Sequence, residues 1–307
     1  MPNTLAHLGI QGILTRSLTK KADLKWIYLG CVIPDIPWIM QRVVHVLLPD
    51  LDRYELYLYS GVQSSLFFCL IFSAGLSLVT RRTGFVYLIL SVSCLLHLLF
   101  DATQIKWANG ILLAAPFSWK VISFGFYWPE SAITIGLTAL GLTYVLLKWR
   151  MFLLSPSSGL TRKYLSLVAA VFCLAAYLGM PFLFREEMLA ANNYSIATLR
   201  DKQKRTGKLV AFDRALLLVE KDRVLLRNFN DELFEVDGLV QGLNSSVISI
   251  KGRFTTPYRI EVSAYHLHPA GRREIASIVG LALVVSGWLC FFIVSARSRA
   301  GDGGARR

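Results

Sequence analysis

Six apolar runs, each about twenty residues long, constrain what this chain can fold into more than any other feature, because a helix of that length spans a bilayer. The chain is 54% hydrophobic and 17% charged, with a mean hydropathy of +0.49, which is typical of membrane proteins. The sequence therefore predicts an α-helical multispanning membrane protein with about six spans. The runs cover residues 26–48, 61–80, 85–101, 131–147, 165–184 and 275–294.

The first of these runs is interrupted near its middle. Pro34 and Pro37 flank Asp35, and a proline inside a helix removes a hydrogen bond and clashes with the preceding turn. We therefore expect a break at Asp35 rather than a straight helix. A broken segment at membrane depth is tolerated where it is buried in protein or lines a wet cavity. Asp35 is thus a candidate functional residue, with a simple interfacial turn as the alternative.

Residues 185–273 have a different pattern, with many charges and short alternating runs. Isoleucines alternate with smaller or charged side chains in residues 246–251, which is typical of a half-buried strand, and 228–231 and 251–252 have turn residues. We expect a small all-β domain, for which a five-stranded barrel of the oligonucleotide/oligosaccharide-binding (OB) type is one arrangement. The chain then divides into a membrane-embedded helical domain (1–184), an extracytoplasmic β domain (185–273), and a last transmembrane helix with a basic tail (274–307).

Loop charge predicts the orientation of the chain. Arg81, Arg82, Lys148 and Lys163 lie in short loops beside apolar runs, and such positive loops remain in the cytoplasm. The loop 102–130 has only two lysines, so we expect it to face out together with the β domain, since long domains cross regardless of charge. Both termini are then expected in the cytoplasm.

The run 85–101 ends with His97 and Asp101, which are four residues apart and share one helix face. A carboxylate facing lipid is costly, so Asp101 must face protein, water or a cation. An imidazole and a carboxylate at this spacing can share a metal ion or a proton; the alternative is a helix-end pair with a structural role at the interface. His266 and His268 share one strand face, where we expect an exposed strand end rather than a metal site.

Four chemically reactive residues match the motifs of one known family. His7 lies in an early helix, Asp35 follows a proline, and His97 and Asp101 form His-x-x-x-Asp, with a glycine at 110 and Pro-Phe-Ser at 116–118. In these features residues 1–119 resemble the membrane-bound metal-dependent hydrolases, also described as LexA-binding, inner membrane-associated hydrolases. That family is distantly similar to zinc-dependent phospholipase C.

The resemblance implies one divalent ion, zinc first and manganese or iron otherwise, held by His7, Asp35, His97 and Asp101. Such an ion would lower the pKa of a bound water to about 7 for the hydrolysis of a phosphoester or related bond. Asp35 would act as the catalytic base if it is not a ligand. The substrate would be a lipid or lipid-linked ester near the outer leaflet of a bacterial inner membrane, with membrane lipids and an envelope component as partners.

A non-catalytic membrane protein is the alternative interpretation. Its polar cluster would be structural or a vestigial metal site, and its β domain would bind a partner or a glycan. Pro37 and Ser64 stand where the family has a second aspartate and the histidine of Thr-His-Ser, which favours this alternative and opposes a site with two or three metals. Convergence of the four site residues on one point would favour the enzyme. Despite a net charge of +13, nucleic acid is not an expected partner, because the β domain is placed outside the cytoplasm.

Overall fold

The computed structural model describes residues 3–154, 159, 161, 163–220, 223–239, 243–269 and 271–304. The described chain forms a group of helices and a separate five-stranded β-barrel. The helices are α1 (Thr4–Leu18), α2 (Leu24–Val32), α3 (Ile36–Leu47), α4 (Arg53–Gln63), α5 (Leu66–Leu78), α6 (Thr83–Ala102), α7 (Ala132–Leu154), α8 (Tyr164–Gly179), α9 (Arg185–Ala190), α10 (Ile196–Arg200) and α11 (Arg272–Gly304).

Four helical segments among the described residues are long and apolar enough to cross a membrane, which is compatible with a membrane protein. They are Thr83–Ala102, Ala132–Leu153, Tyr164–Ala190 and Arg273–Ile293. The pair α4 and α5 would make a fifth if the two helices form one span, although they are bent by 67°. The structure therefore supports four candidate spans, and the total of about six spans stays a prediction.

The predicted span 61–80 is not a single helix. α4 ends at Gln63, and α5 begins only at Leu66, after Ser65 has adopted an extended conformation with φ −66° and ψ 159°. The Ser64 hydroxyl donates to the carbonyl of Gly61 at 3.0 Å, so a serine side chain competes with the helical backbone where the helix breaks. A continuous apolar run in the sequence conceals this local competition.

The run 26–48 contains the break that its prolines predict. α2 and α3 are separated by a 3₁₀ turn, Ile33–Asp35, which places Asp35 in a buried position between two helices. Neither helix alone is long enough to cross a membrane, so a crossing by this segment remains a prediction.

The barrel closes in the strand order β1-β2-β3-β5-β4, with β3 and β5 parallel and the other pairs antiparallel. Its strands are β1 (Leu209–Val219), β2 (Val224–Arg227), β3 (Leu233–Asp237), β4 (Ser246–Thr256) and β5 (Arg259–His268). The prediction of a small β-barrel is thereby confirmed. The turn predicted at 251–252 is wrong: both residues lie within β4, where a Cβ on Gly252 would come within 2.4 Å of the Glu261 carbonyl oxygen.

The barrel is smaller than the predicted β domain, 185–273. The first residues of that range form α9, α10 and short 3₁₀ turns instead of strands. Arg205 connects these helices to the barrel. Its buried guanidinium donates to Glu232 at 2.7 Å and lies over the rings of Phe234 and Phe254. Barrel residues and residues of α4, α9 and α10 share one apolar cluster, so the barrel packs directly against the helices.

The two ends of α6 face two different sets of loops. At its start, the Arg81 amide donates to the Gly159 carbonyl at 2.8 Å, joining the α5–α6 and α7–α8 connections. At its other end, about 30 Å away for 20 residues, the loop after α6 contacts the barrel through Asn109 and Asp213, 3.3 Å apart. The loop 102–130 and the barrel are therefore in contact at this end of α6, and the side of a membrane on which they lie stays a prediction.

α1 and α11 both pack along α7. Asn3 donates to Thr138 at 2.6 Å, near the start of α7, whereas a Cβ on Gly287 of α11 would meet the ring of Phe152, near the other end of α7. α1 therefore lies among the helices of the group. The expectation that both termini are cytoplasmic stays a prediction.

Candidate metal centre

Helix α1 carries His7 into the interior of the helical group. Asn3 caps the helix by accepting from the Ala6 amide at 3.0 Å. Two glycines let α1 pack closely on α7, because a Cβ on Gly9 would lie only 2.0 Å from the Gly141 Cα. Small residues at such a contact allow two backbones to approach closely. As a result His7 has no exposed surface.

Two other elements bring the remaining predicted residues to the same place. His97 and Asp101 lie on the buried face of α6. Asp35 lies in the 3₁₀ turn between α2 and α3, which packs against α5 and α6. All four predicted site residues are buried, and they come from three segments that are distant in the sequence.

Three of the four side chains, those of His7, His97 and Asp101, have ligand atoms within 4.8 Å of one another, and Asp35 contacts this group through His97. His7 Nε2 lies 3.2 Å from Asp101 Oδ1, and His97 Nε2 lies 3.4 Å from Asp35 Oδ1 and 4.0 Å from Asp101 Oδ2. The two imidazole rings stack with their centroids 3.9 Å apart. Two stacked rings this close disfavour a state in which both are protonated, because like charges repel strongly in a buried site.

His97 presents one nitrogen that is ready to bind a cation. Its Nδ1 lies 2.6 Å from the Cys31 carbonyl oxygen, which can only accept, so Nδ1 is protonated and Nε2 of the neutral ring carries a lone pair. That Nε2 is buried without a hydrogen-bond partner and faces an oxygen of Asp35. Two acceptors in this position repel each other unless a proton or a metal ion lies between them.

The nitrogen that His7 presents depends on Gln11. The Gln11 amide nitrogen lies 3.2 Å from His7 Nδ1, and its oxygen lies 2.8 Å from Cys31 Sγ. In this orientation Nδ1 accepts and Nε2–H donates to Asp101. If the amide turns by 180°, its oxygen accepts Nδ1–H instead and Nε2 becomes a free donor atom for a metal. Gln11 therefore positions the His7 proton.

Lys106 belongs to the cluster, although the sequence indicated it only as a loop charge. Its Nζ lies 3.2 Å from Asp101 Oδ2, and the side chain is 5% exposed. The residue is five positions beyond Asp101 and outside α6, so helical spacing could not have associated the two. The ion pair offsets part of the negative charge of the two carboxylates.

An apolar groove of about 400 Å³ lies beside the cluster, between α1, α6 and the loop that follows α6. Gln11 and Phe100 form part of its wall, and both also contact His7, Phe100 through a ring-to-ring distance of 5.0 Å. Phe124 and Phe126 line the groove with their stacked, exposed rings. The groove is therefore one side chain away from the buried imidazole.

A second polar cluster lies where the barrel meets the loop before α7. Glu130 Oε1 lies 2.7 Å from His268 Nδ1, and Oε2 lies 3.7 Å from His266 Nε2. His268 is buried and His266 stacks on Trp128, so the predicted exposed strand end is wrong. Glu130 is the acidic partner of both histidines, and nothing in the sequence associates it with residues so far along the chain.

The charges around Glu130 stabilise its ionised form. Burial alone would raise the pKa of Glu130, but the hydrogen bond from His268 and the charge of Arg214, whose Nη1 lies at 2.6 Å, lower that pKa to about 2. Burial and then the charge of His268 lower the pKa of His266. The Arg214 guanidinium also lies 3.3 Å from His268 Nδ1, and a cation at that position opposes a metal ion.

Ser249, His268 and Glu130 are hydrogen-bonded in the order of a serine-hydrolase triad, with Ser249 Oγ 2.8 Å from His268 Nε2. Ser249, however, has no exposed surface, and its hydroxyl also contacts the Asp213 carboxylate at 3.1 Å. A substrate carbonyl cannot reach this oxygen, and a neighbouring carboxylate would destabilise an oxyanion. We interpret the chain of hydrogen bonds as structural.

Two groups of side chains among the described residues are thus close enough to hold a metal ion: His7, His97 and Asp101, and Glu130, His266 and His268. Asp35 contacts the first group through His97, whereas Arg214 places a cation in the second. Comparisons of the chain with protein families, curated proteins and solved structures found no match.

Proposed function

We propose that the chain is a membrane-bound metal-dependent hydrolase, with one divalent ion held by His97, Asp35, Asp101 and His7. The observation that carries this proposal is the buried His97 Nε2, which has no hydrogen-bond partner and faces an Asp35 oxygen at 3.4 Å. An intramembrane cluster of ionisable residues is costly unless its charges are paired or used.

The chemistry of the donor atoms fits a divalent transition metal. Two imidazole nitrogens and two carboxylates suit zinc, with manganese or iron as alternatives. The Nδ1–H of His97 donates to the Cys31 backbone carbonyl, and such a hydrogen bond is the usual way in which a ligating histidine is oriented. Lys106 offsets one of the two carboxylate charges, so a divalent ion meets a site that still attracts cations. We therefore expect one ion per chain.

When bound, the ion would lower the pKa of a water ligand to about 7 and polarise the ester to be cleaved. The protein residues would orient the substrate and move protons around it. Asp35 is the candidate general base because it is the carboxylate with no lysine beside it among the described contacts. Lys106 is placed to support a leaving oxygen, since its ammonium already binds an anionic oxygen at 3.2 Å.

The groove beside the cluster supports a lipid or lipid-linked substrate. Its wall is almost wholly apolar, with leucines from α1 and α6 and the rings of Phe124 and Phe126. An acyl chain lying there would bring an ester at its head close to Gln11 and His7. Membrane lipids are also the hydrophobic molecules that helices of this kind meet first.

Several finer properties belong to the same proposal. We place the chain in a bacterial inner membrane with six crossings, and the barrel and the loop 102–130 outside the cytoplasm. The charges near Arg81 and Lys163, at the opposite end of α6 and α7, support this orientation. The strand order and the parallel β3–β5 pair support a barrel of the OB type.

A non-catalytic membrane protein is the second candidate, and Lys106 is the observation that favours it. The ion pair between Lys106 and Asp101 already compensates one buried charge without a metal. A proton on one imidazole would compensate the other. The cluster would then hold three segments together, as buried polar networks do when all their members are satisfied.

Metal analysis followed by an activity assay tests the proposal. We expect about one divalent ion per chain in purified wild-type protein, and most of it lost in His97→Ala and Asp101→Asn. His45→Ala is the matched control, because His45 lies at the end of α3 away from both clusters. Metal-free wild-type protein would refute the proposal. Metal binding without hydrolysis of a nitrophenyl phosphodiester or carboxylic ester of an acyl chain would leave the non-catalytic candidate.

A further inference from the structure

A second cavity, of about 280 Å³, lies where the barrel, α4 and the loop after α6 meet. It is separate from the groove beside His7, and none of the four proposed metal ligands lines it. Its volume is at the lower end of small-molecule sites, so it suits a ligand of one ring rather than a long oligomer.

Three aromatic rings form one side of this cavity. Tyr57 meets Tyr194 edge-on with ring centroids 5.0 Å apart, and Tyr57 meets Phe229 with centroids 4.7 Å apart. Tyr194 is held by a hydrogen bond from its hydroxyl to the Gly110 carbonyl at 3.2 Å. The rings come from α4, a 3₁₀ turn and the β2–β3 turn, so the barrel and the helices build this wall together.

Uncharged and mutually compensated polar groups form the other side. Asn109 donates to Asp213 at 3.3 Å, and Arg227 lies 3.9 Å from Asp231. Arg214 lines the cavity, but its guanidinium binds Glu130 and Glu274, which do not line it. The cavity therefore offers carboxylate and amide oxygens and amide N–H groups with almost no net charge, which disfavours phosphate and favours hydroxyl groups.

Backbone strain is concentrated around this cavity. Six non-glycine residues of the described chain have positive φ, and four of them line it: Ala108 (52°), Tyr194 (60°), Arg214 (60°) and Asp231 (57°). A left-handed conformation is unfavourable for an L-residue, so it persists only where the surroundings impose it. Such residues cluster at ligand-binding sites, where the strain fixes the positions of the side chains.

We infer that this cavity binds a sugar ring of a glycan or glycolipid. The aromatic wall would stack on the apolar face of the ring, while Asn109, Asp213 and Asn228 would hydrogen-bond its hydroxyls. The cavity has aromatic rings, amides and carboxylates but no net positive charge. This lining favours a sugar over a nucleotide, because a nucleotide would need cationic groups for its phosphate. The inference does not depend on a metal ion, because none of the residues that line the cavity is a proposed metal ligand.

Saturation-transfer NMR on the purified full-length chain tests this inference, in a detergent that has no sugar headgroup. The probes are methyl glycosides of glucose, galactose and N-acetylglucosamine, with adenosine monophosphate and a short oligothymidine as the nucleotide probes. We expect at least one glycoside to bind and neither nucleotide probe to compete. Absence of glycoside binding, or competition by a nucleotide probe, overturns the inference.

Three variants locate the binding. Ala211→Leu adds three carbons to the cavity wall and should weaken binding at least tenfold, and Arg227→Ala should weaken it by removing a lining polar group. Arg253→Ala is the control, since it removes an exposed arginine of β4 that binds the Gly207 carbonyl outside the cavity. A thermal melt confirms that each variant is folded. Binding that survives in Ala211→Leu, or that is lost equally in Arg253→Ala, rejects the cavity as the site.

Discussion

His97 Nε2 lies 3.4 Å from Asp35 Oδ1 in a buried position, and because Nδ1–H donates to the Cys31 carbonyl, Nε2 of the neutral ring carries a lone pair. A lone pair and a carboxylate oxygen cannot face each other in the interior without a proton or a cation between them. A metal ion in this position would make the cluster a catalytic site, whereas a proton would leave it a structural one.

Chelation should destabilise the wild-type chain. A bound ion stabilises only the folded state, by about 2.7 kcal/mol when it is present at 100 times its Kd. We expect a chelator to lower the Tm of detergent-solubilised wild-type protein by several degrees, and stoichiometric zinc to restore it. The same chelator should leave the Tm of His97→Ala unchanged. An equal response of wild type and His97→Ala would show that the stabilising ion binds elsewhere, for example at Glu130 and His266.

Gln11 should act as a positioning residue for the metal. Changes to groups that orient a ligating histidine typically cost 10–100-fold in metal affinity. We expect Gln11→Leu to weaken zinc binding by about that factor, and Gln11→Glu to retain most of it, because a carboxylate oxygen can accept Nδ1–H from His7. Competition with a chromophoric chelator measures both affinities. If Gln11→Leu binds zinc as tightly as wild type, His7 is not a ligand.

The sequence predicts those parts of the site that depend on local spacing. His97 and Asp101 share a face by helical geometry, and the prolines around Asp35 produce the break that buries it. The contact of Lys106 with Asp101 could not be predicted, because it forms beyond the end of α6 where no periodicity applies. Glu130 was missed for a stronger reason, since its partners His266 and His268 are in another domain of the fold.

The fold was predictable to a similar extent. Long apolar runs and alternating runs identified the helices and the barrel, because each pattern follows from the burial of one element. The helix break after Gln63 accompanies a local hydrogen bond of the Ser64 hydroxyl that the apolar run conceals, whereas the orientation of α1 depends on tertiary contacts. α1 enters the helical group through the contact of Gly9 with Gly141, and no local pattern distinguishes that pair from other glycines.

Acid should destabilise the junction between the barrel and the helices through Glu130. Its pKa is about 2 in the folded protein and near 4.5 in the unfolded chain, so its contribution is fully present above pH 4.5. That contribution, on the order of 1–3 kcal/mol, is lost as the pH falls from about 4.5 toward 2. Glu130→Gln should therefore be less stable than wild type at pH 6, and the difference should shrink at pH 3.

The control for this prediction is Glu261→Gln, which changes an exposed glutamate on β5 in the same way. Thermal melts of the three proteins between pH 3 and pH 6 supply the measurement. A stability difference between wild type and Glu130→Gln that is constant across this range would mean that the hydrogen bonds to Arg214 and His268 stabilise the fold without coupling to the proton.

A glycine far from the metal ligands should control metal binding through α1. A Cβ on Gly141 would lie 2.2 Å from the Leu5 carbonyl oxygen, so Gly141→Ala must displace the backbone of α1 by about 1 Å to reach an ordinary contact. His7 is two residues beyond Leu5 on the same helix and would move with it. Because metal ligands must be held within about 0.5 Å of their working positions, we expect zinc affinity to fall at least tenfold.

Gly136→Ala is the matched control, because Gly136 lies on the same helix, α7, and has nothing within 4 Å of its Cβ position. It should bind zinc as wild type does and keep the same Tm. The Gly141→Ala protein must be monodisperse for the comparison, so size-exclusion chromatography precedes the zinc titration. If Gly141→Ala is folded and binds zinc normally, then the close packing of α1 on α7 does not position His7, and the ion would be held by α6 and Asp35 without it.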